Sequence, residues 1–326
     1  MSEHFLERLR KQEEKCDNLE GFFFMHSINS GTGSGFWSSL ISHDFGKKAI
    51  CNFTIFPSAN LSNAIVEPYN AVLGLHSLIE SSNLTFILEN EALYNIATNK
   101  ILLENPTYSN INKLIAQSFS SLTAGIRFRG ALNYDLTDLL TNLTIYHRLH
   151  FIIPSYSPFV PKEQEYHRNL SITEITNQIF DVDASMAKCN KFKFEEVYAA
   201  CLLYRGDVSP SEIYPAIDKI KKEKTIKFSE RSPNGFKIGV CDEEPSCVPE
   251  GELAKVRRSA ALFTNSTAVE HNLERIVKKF DALWNKKAFV HWFNEAGVLE
   301  DEFNEARENL YALIKDYEIE YDPGEP

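Results

Sequence analysis

Asn29-Ser30-Gly31-Thr32-Gly33-Ser34-Gly35 packs three glycines and three hydroxyl side chains into seven positions, directly after the apolar run Glu20–Ser27 (EGFFFMHS). A folded chain can hold such a segment only as a turn. Glycine admits backbone angles that a Cβ forbids, and serine and threonine draw backbone hydrogen bonds away from helix and strand. The run before it reads as a buried strand, and a helix is expected to start near Phe36. The turn therefore joins strand to helix, where backbone N–H groups and a helix N-terminus can meet a phosphate. No lysine follows the last glycine, so this is not a Walker loop, and Phe36 stands where the dinucleotide fingerprint wants glycine. Taken alone, the turn is either a plain connection or an anion cradle.

The pattern around it repeats. Ala49–Phe56 reads as a strand, a polar loop follows, and Glu67-Pro68 opens a helix, proline being tolerated in a first turn. Leu84–Leu88 is a further strand. Strand, loop and helix in alternation predict an α/β fold with a parallel sheet. From Tyr108 to Phe128 no proline interrupts an apolar face of Ile111, Leu114, Ile115, Leu122 and Ile126, which predicts a long central helix. Strands near 149–153, 197–204, 225–229, 235–240 and 257–264, with helices near 172–180 and 209–222, predict a second α/β layer. Residues 268–319 read as a charged helical pair laid on the outside. Phe289, His291, Trp292 and Phe293 are expected in or near the core. The boundaries read are 1–107, 108–267 and 268–326.

The chain of 326 residues is 43% apolar and 24% charged, which excludes disorder and fibrous repeats. Its net charge, 34 − 45 = −11, argues against nucleic acid as main partner. Residues 300–326 hold ten acidic and two basic side chains and so carry −8 of it. No apolar run approaches a membrane span, and the charged opening MSEHFLERLRKQEEK is not a signal peptide. The six cysteines form no CxxC pair, so neither zinc nor a disulfide framework is supported, and the cytosol is the compartment read.

SGTGSGF resembles the glycine-rich signature of the tubulin family in its α form. The resemblance continues in order through AIVEPYNAVL (64–73), ENEALYNI (89–96), NPTYSNINKLI (105–115), RGALNYDLTDLLTNL (129–143), ACLLYRGDV (200–208), VPEGELAKV (248–256), KAFVHWF (287–293) and FNEARENLYALIKDYE (303–318). The segment SCVPEGEL (246–253) is similar to a loop that α chains carry and β chains lack. Asp138 is acidic, as in the α branch. The resemblance implies a tubulin-like fold: part of a doubly wound nucleotide-binding domain, a central helix, a second α/β domain and a C-terminal helical hairpin. Position 1 aligns inside the family's sequence, so roughly the first quarter of the family's chain has no counterpart here, equivalent to the first few βα units of a doubly wound domain.

Carried over residue by residue, the resemblance implies GTP as ligand. Ser27, Gly31, Thr32 and Gly33 fall on the phosphate side, Asn63 and Glu67 on the ribose side, and Asn90, Tyr108 and Asn112 on the guanine side. Amides can offer both donor and acceptor to a purine edge, and a tyrosine can stack on its face. Mg2+ is implied with the nucleotide, although the acidic loop that usually faces it belongs to the part without a counterpart. Asn29 and Ser30 replace two signature glycines, and the helix WSSLISHDF is three residues shorter than the family's. Asp138 stands where the family's α chain carries the acid that acts in trans on the γ-phosphate of a neighbouring β chain. Asp135 is a second acid nearby. Without the resemblance both read as helix-surface carboxylates.

Two functions follow. One is an α-tubulin-like GTP-binding subunit of microtubules, paired with β-tubulin and other tubulin subunits in the cytoplasmic cytoskeleton, its acidic end available to motors and associated proteins. The other is a truncated, non-catalytic interaction protein or partial gene product that binds no GTP. Neither nucleic acid nor a membrane is expected as partner.

Overall fold

The computed structural model describes residues 2–36, 48–61, 64–167, 170–188, 194–222, 226–229, 235–248 and 251–318. Asn63, the segment WSSLISHDF, positions 249 and 250 of the SCVPEGEL loop and the tail from 319 onward lie outside the described residues.

Helix α1 (Ser2–Glu13) leads to β1 (Gly21–Ser27), and the glycine-rich segment itself winds into one turn of π-helix, Thr32–Phe36, so helical backbone begins at Thr32 and not near Phe36. The chain continues through β2 (Ala49–Phe56), α2 (Glu67–Ser81), β3 (Leu84–Glu89), α3 (Asn90–Asn99), α4 (Tyr108–Leu122), the short α5 (Ala124–Arg127), α6 (Leu136–Leu143) and β4 (Phe151–Ser157). Then come α7 (Ile172–Ile179), β5 (Phe194–Gly206), α8 (Pro210–Lys222), β6 (Ile226–Phe228), β7 (Phe236–Cys241) and β8 (Arg258–Ser266). Three helices end it: α9 (Val269–Trp284), α10 (Val290–Glu295) and α11 (Glu300–Glu318).

Strands β1, β2, β3 and β4 lie side by side in chain order and run parallel. Parallel neighbours need crossovers, and these carry the helices onto the faces of the sheet. β4 changes partner midway. Phe151 and Ile152 align with β3 in parallel, whereas Ile153 to Ser157 pair antiparallel with β8. β8 continues antiparallel to β5, which carries β6 and β7 in parallel. The strands of the second α/β layer thus join the first through one strand.

Side chains alternate across this sheet, as its pleat requires. Phe53, Phe86, Leu88 and Ile152 enter one core with α4 and α6, while Phe56, Ile87, Phe151 and Ile153 enter another with α2, α9 and α11. β5 is shared in the same way: Cys201 and Leu203 face the α4 core, and Leu202 and Tyr204 face a third one under α7 and α8. Burying one such phenylalanine is worth about 1.5–3 kcal/mol. The α2 side is rich in rings, with Tyr69 edge-on to Phe280, Trp284, Phe293 and Phe303 at centroid distances of 5.4–6.4 Å.

Three further expectations are corrected. The central helix does not run unbroken to Phe128: α4 stops at Leu122 and α5 restarts it. The Tyr134 hydroxyl donates to the Ser121 carbonyl at 3.0 Å and accepts from the Gly125 N–H at 3.1 Å, standing between two groups that a continuous helix would join. Ile126, read as core, is consequently exposed. The C-terminal pair is three helices, and α9 and α11 bury Leu273, Phe280, Phe303, Leu310 and Tyr317 rather than merely lying outside. Phe289, His291 and Trp292 are not core. Phe289, in the left-handed region at φ 61°, opens a short helix whose inward side is Val290 and Phe293, leaving Trp292 61% exposed with His291 against it.

Candidate functional site

Because β1 to β4 are parallel, the chain leaves β1, β2 and β3 on the same edge of the sheet. That carboxyl edge is where open α/β sheets bind ligands. The glycine-rich turn, the loop after β2 and the first residues of α3 all arise there.

The turn is seated by backbone contact. Ile28 N–H donates to the Ile55 carbonyl at 3.3 Å, and Asn29 N–H donates to Ser27 Oγ at 3.2 Å. Gly33 folds back over the end of β1 so closely that a Cβ there would run into the Ser27 carbonyl oxygen. Ser34, buried beside it, closes the turn by donating from both its N–H and its Oγ to the Ser30 carbonyl, at 3.1 and 2.9 Å. Ser30, Gly31, Thr32 and Gly35 remain exposed. None of the turn's residues has positive φ, so Asn29 and Ser30 replace glycines without adopting a left-handed backbone. The turn from Ile28 to Phe36 contains no acidic residue. The exposed Ser30 and Thr32 hydroxyls and the backbone amides around them suit an anion.

Two residues that the sequence reading passed over fix this turn against α2. Asn70 Nδ2 donates to the Asn29 carbonyl at 3.1 Å. Gly74 faces Ser34, whose Cβ would lie 2.5 Å from a Cβ at position 74. A glycine inside a helical pattern was the available signal, since it marks close approach of another backbone.

Glu67 is buried at the first turn of α2, just after the loop that follows β2. Asn90 opens α3 half-buried, and Tyr94 lies one turn further along the same face. Tyr108 opens α4, is 58% exposed, and meets Tyr94 edge-on at 6.3 Å. Asn112 is exposed one turn along α4. Asn90 and Tyr94 on α3 therefore face the helix that carries Tyr108 and Asn112. Tyr94 lies in ENEALYNI, and its place four residues after Asn90 is the sequence signal that sets it on the same helix face.

Asp138 is elsewhere. It lies in the first turn of α6, whose leading residue Leu136 packs against Gly21 at the start of β1, and whose trailing Thr144 donates to the Asn83 carbonyl just before β3, at 3.2 Å. α6 thus borders the amino edge of the parallel sheet. β1 has seven residues, which separates its two ends by about 20 Å. Asp138 is partly exposed and pairs with Lys237 of β7 at 3.5 Å. Asp135 serves the helix itself, its carboxylate capping α6 by accepting from Asp138 N–H at 2.6 Å.

Among the described residues, Glu270, His271 and Glu274 on α9 bring ligand atoms within 4.8 Å of one another, but Glu274 is already paired with Lys278 at 2.7 Å. No helix of the described residues is long and apolar enough to cross a membrane.

Two family models match the chain. Residues 1–98 match the one described as Tubulin/FtsZ family, GTPase domain, and residues 147–278 match the Tubulin C-terminal domain. The chain is 46% identical over 316 residues to the tubulin alpha-2B chain of Physarum polycephalum. It is 47% identical over the same length to the tubulin alpha-1 chain of Arabidopsis thaliana. Both alignments cover 96% of this chain and 70% of the relative.

Proposed function

Since this chain belongs to the tubulin family and is similar to its α chains, we propose that it is a GTP-binding, α-tubulin-like microtubule subunit that stacks head to tail with β-tubulin. The turn from Ser27 to Gly33 holds the phosphates through backbone N–H groups and the Thr32 hydroxyl. Glu67 and Asn63 attend the ribose, and Asn90, Tyr108 and Asn112 read the guanine. Mg2+ accompanies the phosphates, which supply the negative oxygens that the turn itself lacks. Asp138 serves the nucleotide of the adjoining β subunit by orienting a water for attack on the γ-phosphate, a role suited to a fixed carboxylate.

The observation that carries this reading is the separation of Asp138 from the glycine-rich turn by the length of β1. A carboxylate at the amino edge is far from a nucleotide at the carboxyl edge of its own sheet. In a head-to-tail stack, opposite ends of neighbouring subunits meet, and such heterologous contacts generate filaments.

The test is copolymerisation with β-tubulin. Asp138→Asn is expected to leave GTP binding by the isolated chain and incorporation into polymer intact, while slowing hydrolysis by about 10²-fold. Asp138→Glu, one methylene longer, is expected to hydrolyse at least as fast as the natural chain. Unchanged hydrolysis in Asp138→Asn would overturn the role in trans, and absence of GTP binding by the natural chain would overturn the site.

A further inference from the structure

Asn90 sits between two carboxylates that are committed to different parts of the molecule. On one side Glu89, fully buried at the end of β3, is paired with Arg275 of α9. On the other, Glu91 accepts from Asn60 Nδ2 at 2.9 Å and Asn60 N–H at 3.3 Å, and pairs with Lys188 at 2.6 Å. Asn60 belongs to the loop after β2. One turn beyond Arg275 on the same face of α9, Lys279 donates to the Ser58 and Ala59 carbonyls of that loop, both at 2.9 Å. Helix α9 thereby grips the Asn90 corner and the neighbouring loop together.

Stability does not account for this arrangement. Removing a carboxylate such as Glu89 from water costs free energy that its partner only offsets, and apolar side chains of similar volume would pack at no such cost. What buried, directional pairs supply is a fixed geometry. A residue flanked on both sides by anchored neighbours has little freedom to move its amide, which is what recognition of a base edge requires.

We infer that Glu91 and Glu89, held by Lys188, Asn60 and Arg275, are positioning residues for Asn90, so that this anchoring sets how selectively the site reads the purine. This rests on the reading of Asn90 as a base contact. The effect is on the choice of base. The phosphates are held at the other end of the ligand, by the glycine-rich turn.

Competition of GTP and ATP for the full chain, by displacement of a fluorescent guanine nucleotide, tests this. Glu91→Ala and Lys188→Met are each expected to lower the preference for GTP by about ten-fold. Lys278→Met, an exposed substitution on α9 away from the loop, should leave it unchanged. The decisive measurement is Glu91→Ala placed in an Asn90→Ala background. If Glu91 acts through Asn90, it has no further effect on the preference there, because coupled residues are not additive. An unchanged preference in Glu91→Ala alone, or a loss of equal size in both backgrounds, would overturn the inference. Arg275→Met leaves Glu89 buried without its partner and can fail to fold, so it is not the variant relied on. Should Asn90→Ala itself keep the natural preference, the reading of Asn90 falls, and the inference with it.

Discussion

Gly33 and Gly35 are two positions apart in one turn, yet only one of them is constrained by space. A methyl group at 33 would collide with the Ser27 carbonyl, while at 35 it would meet nothing within 4 Å. Gly33→Ala is therefore expected to destabilise the chain by about 1–3 kcal/mol through forced backbone movement. Gly35→Ala should stay within about 0.5 kcal/mol. Urea denaturation of the two variants side by side checks this, and equal losses would refute it. The sequence showed that glycines cluster here, but not which of them touches what, because that depends on the path of the chain back over β1. The same limit applies to Asp135 and Asp138. Both are acids near one helix start, and only the folded chain makes one a cap and hands the other to Lys237, ninety-nine positions away. Asn70 is hidden for the same reason, its partner being the Asn29 carbonyl forty-one positions back.

Local patterning carried most of the elements. β2 was read with its observed ends, Ala49 and Phe56, because apolar residues fill it and turn formers bound it. α2 was legible from Glu67-Pro68. The interruption between α4 and α5 was not, since nothing from Tyr108 to Phe128 breaks a helix by composition. The cause is one hydroxyl arriving from Tyr134, outside the segment. Tyr134→Phe keeps the ring and removes both hydrogen bonds, leaving the Ser121 carbonyl and the Gly125 N–H to find other partners. The expected loss is about 1–3 kcal/mol, read as a lower urea midpoint with an unchanged slope. No loss, with the amide signal of Gly125 unmoved, would mean that the hydroxyl does not hold the break. The exposed Trp292 illustrates a related limit. An aromatic-rich stretch reads as core until the left-handed Phe289 sets which side of a short helix turns inward.

Acid should weaken the molecule well before its carboxylates titrate in bulk. Burial holds the imidazole of His150 down to about 4 from its ordinary 6.5, although its hydrogen bond with the His147 carbonyl favours the charged form. His26 is lowered in the same direction, also by burial. The native chain keeps these rings neutral where the unfolded chain protonates them, so stability falls as pH drops from about 6.5 toward 4. Glu89, raised by burial, works against this by taking up a proton in the native state. The expected outcome is a urea midpoint that declines between pH 7 and pH 5, with His150→Gln flattening the decline; a flat profile for the natural chain would contradict it. On the same scale, the parallel run of the first strands is legible from the alternation of strand and helix, but their order and the change of partner within β4 are not, because sequence spacing does not say which strands become neighbours or where one leaves a neighbour for another. That change has a mechanical meaning. With five residues bonded to β8 and its opening pair bonded to β3, β4 is a seam and not a linker, and neither half of the sheet can come apart without stripping hydrogen bonds from a strand the other half needs.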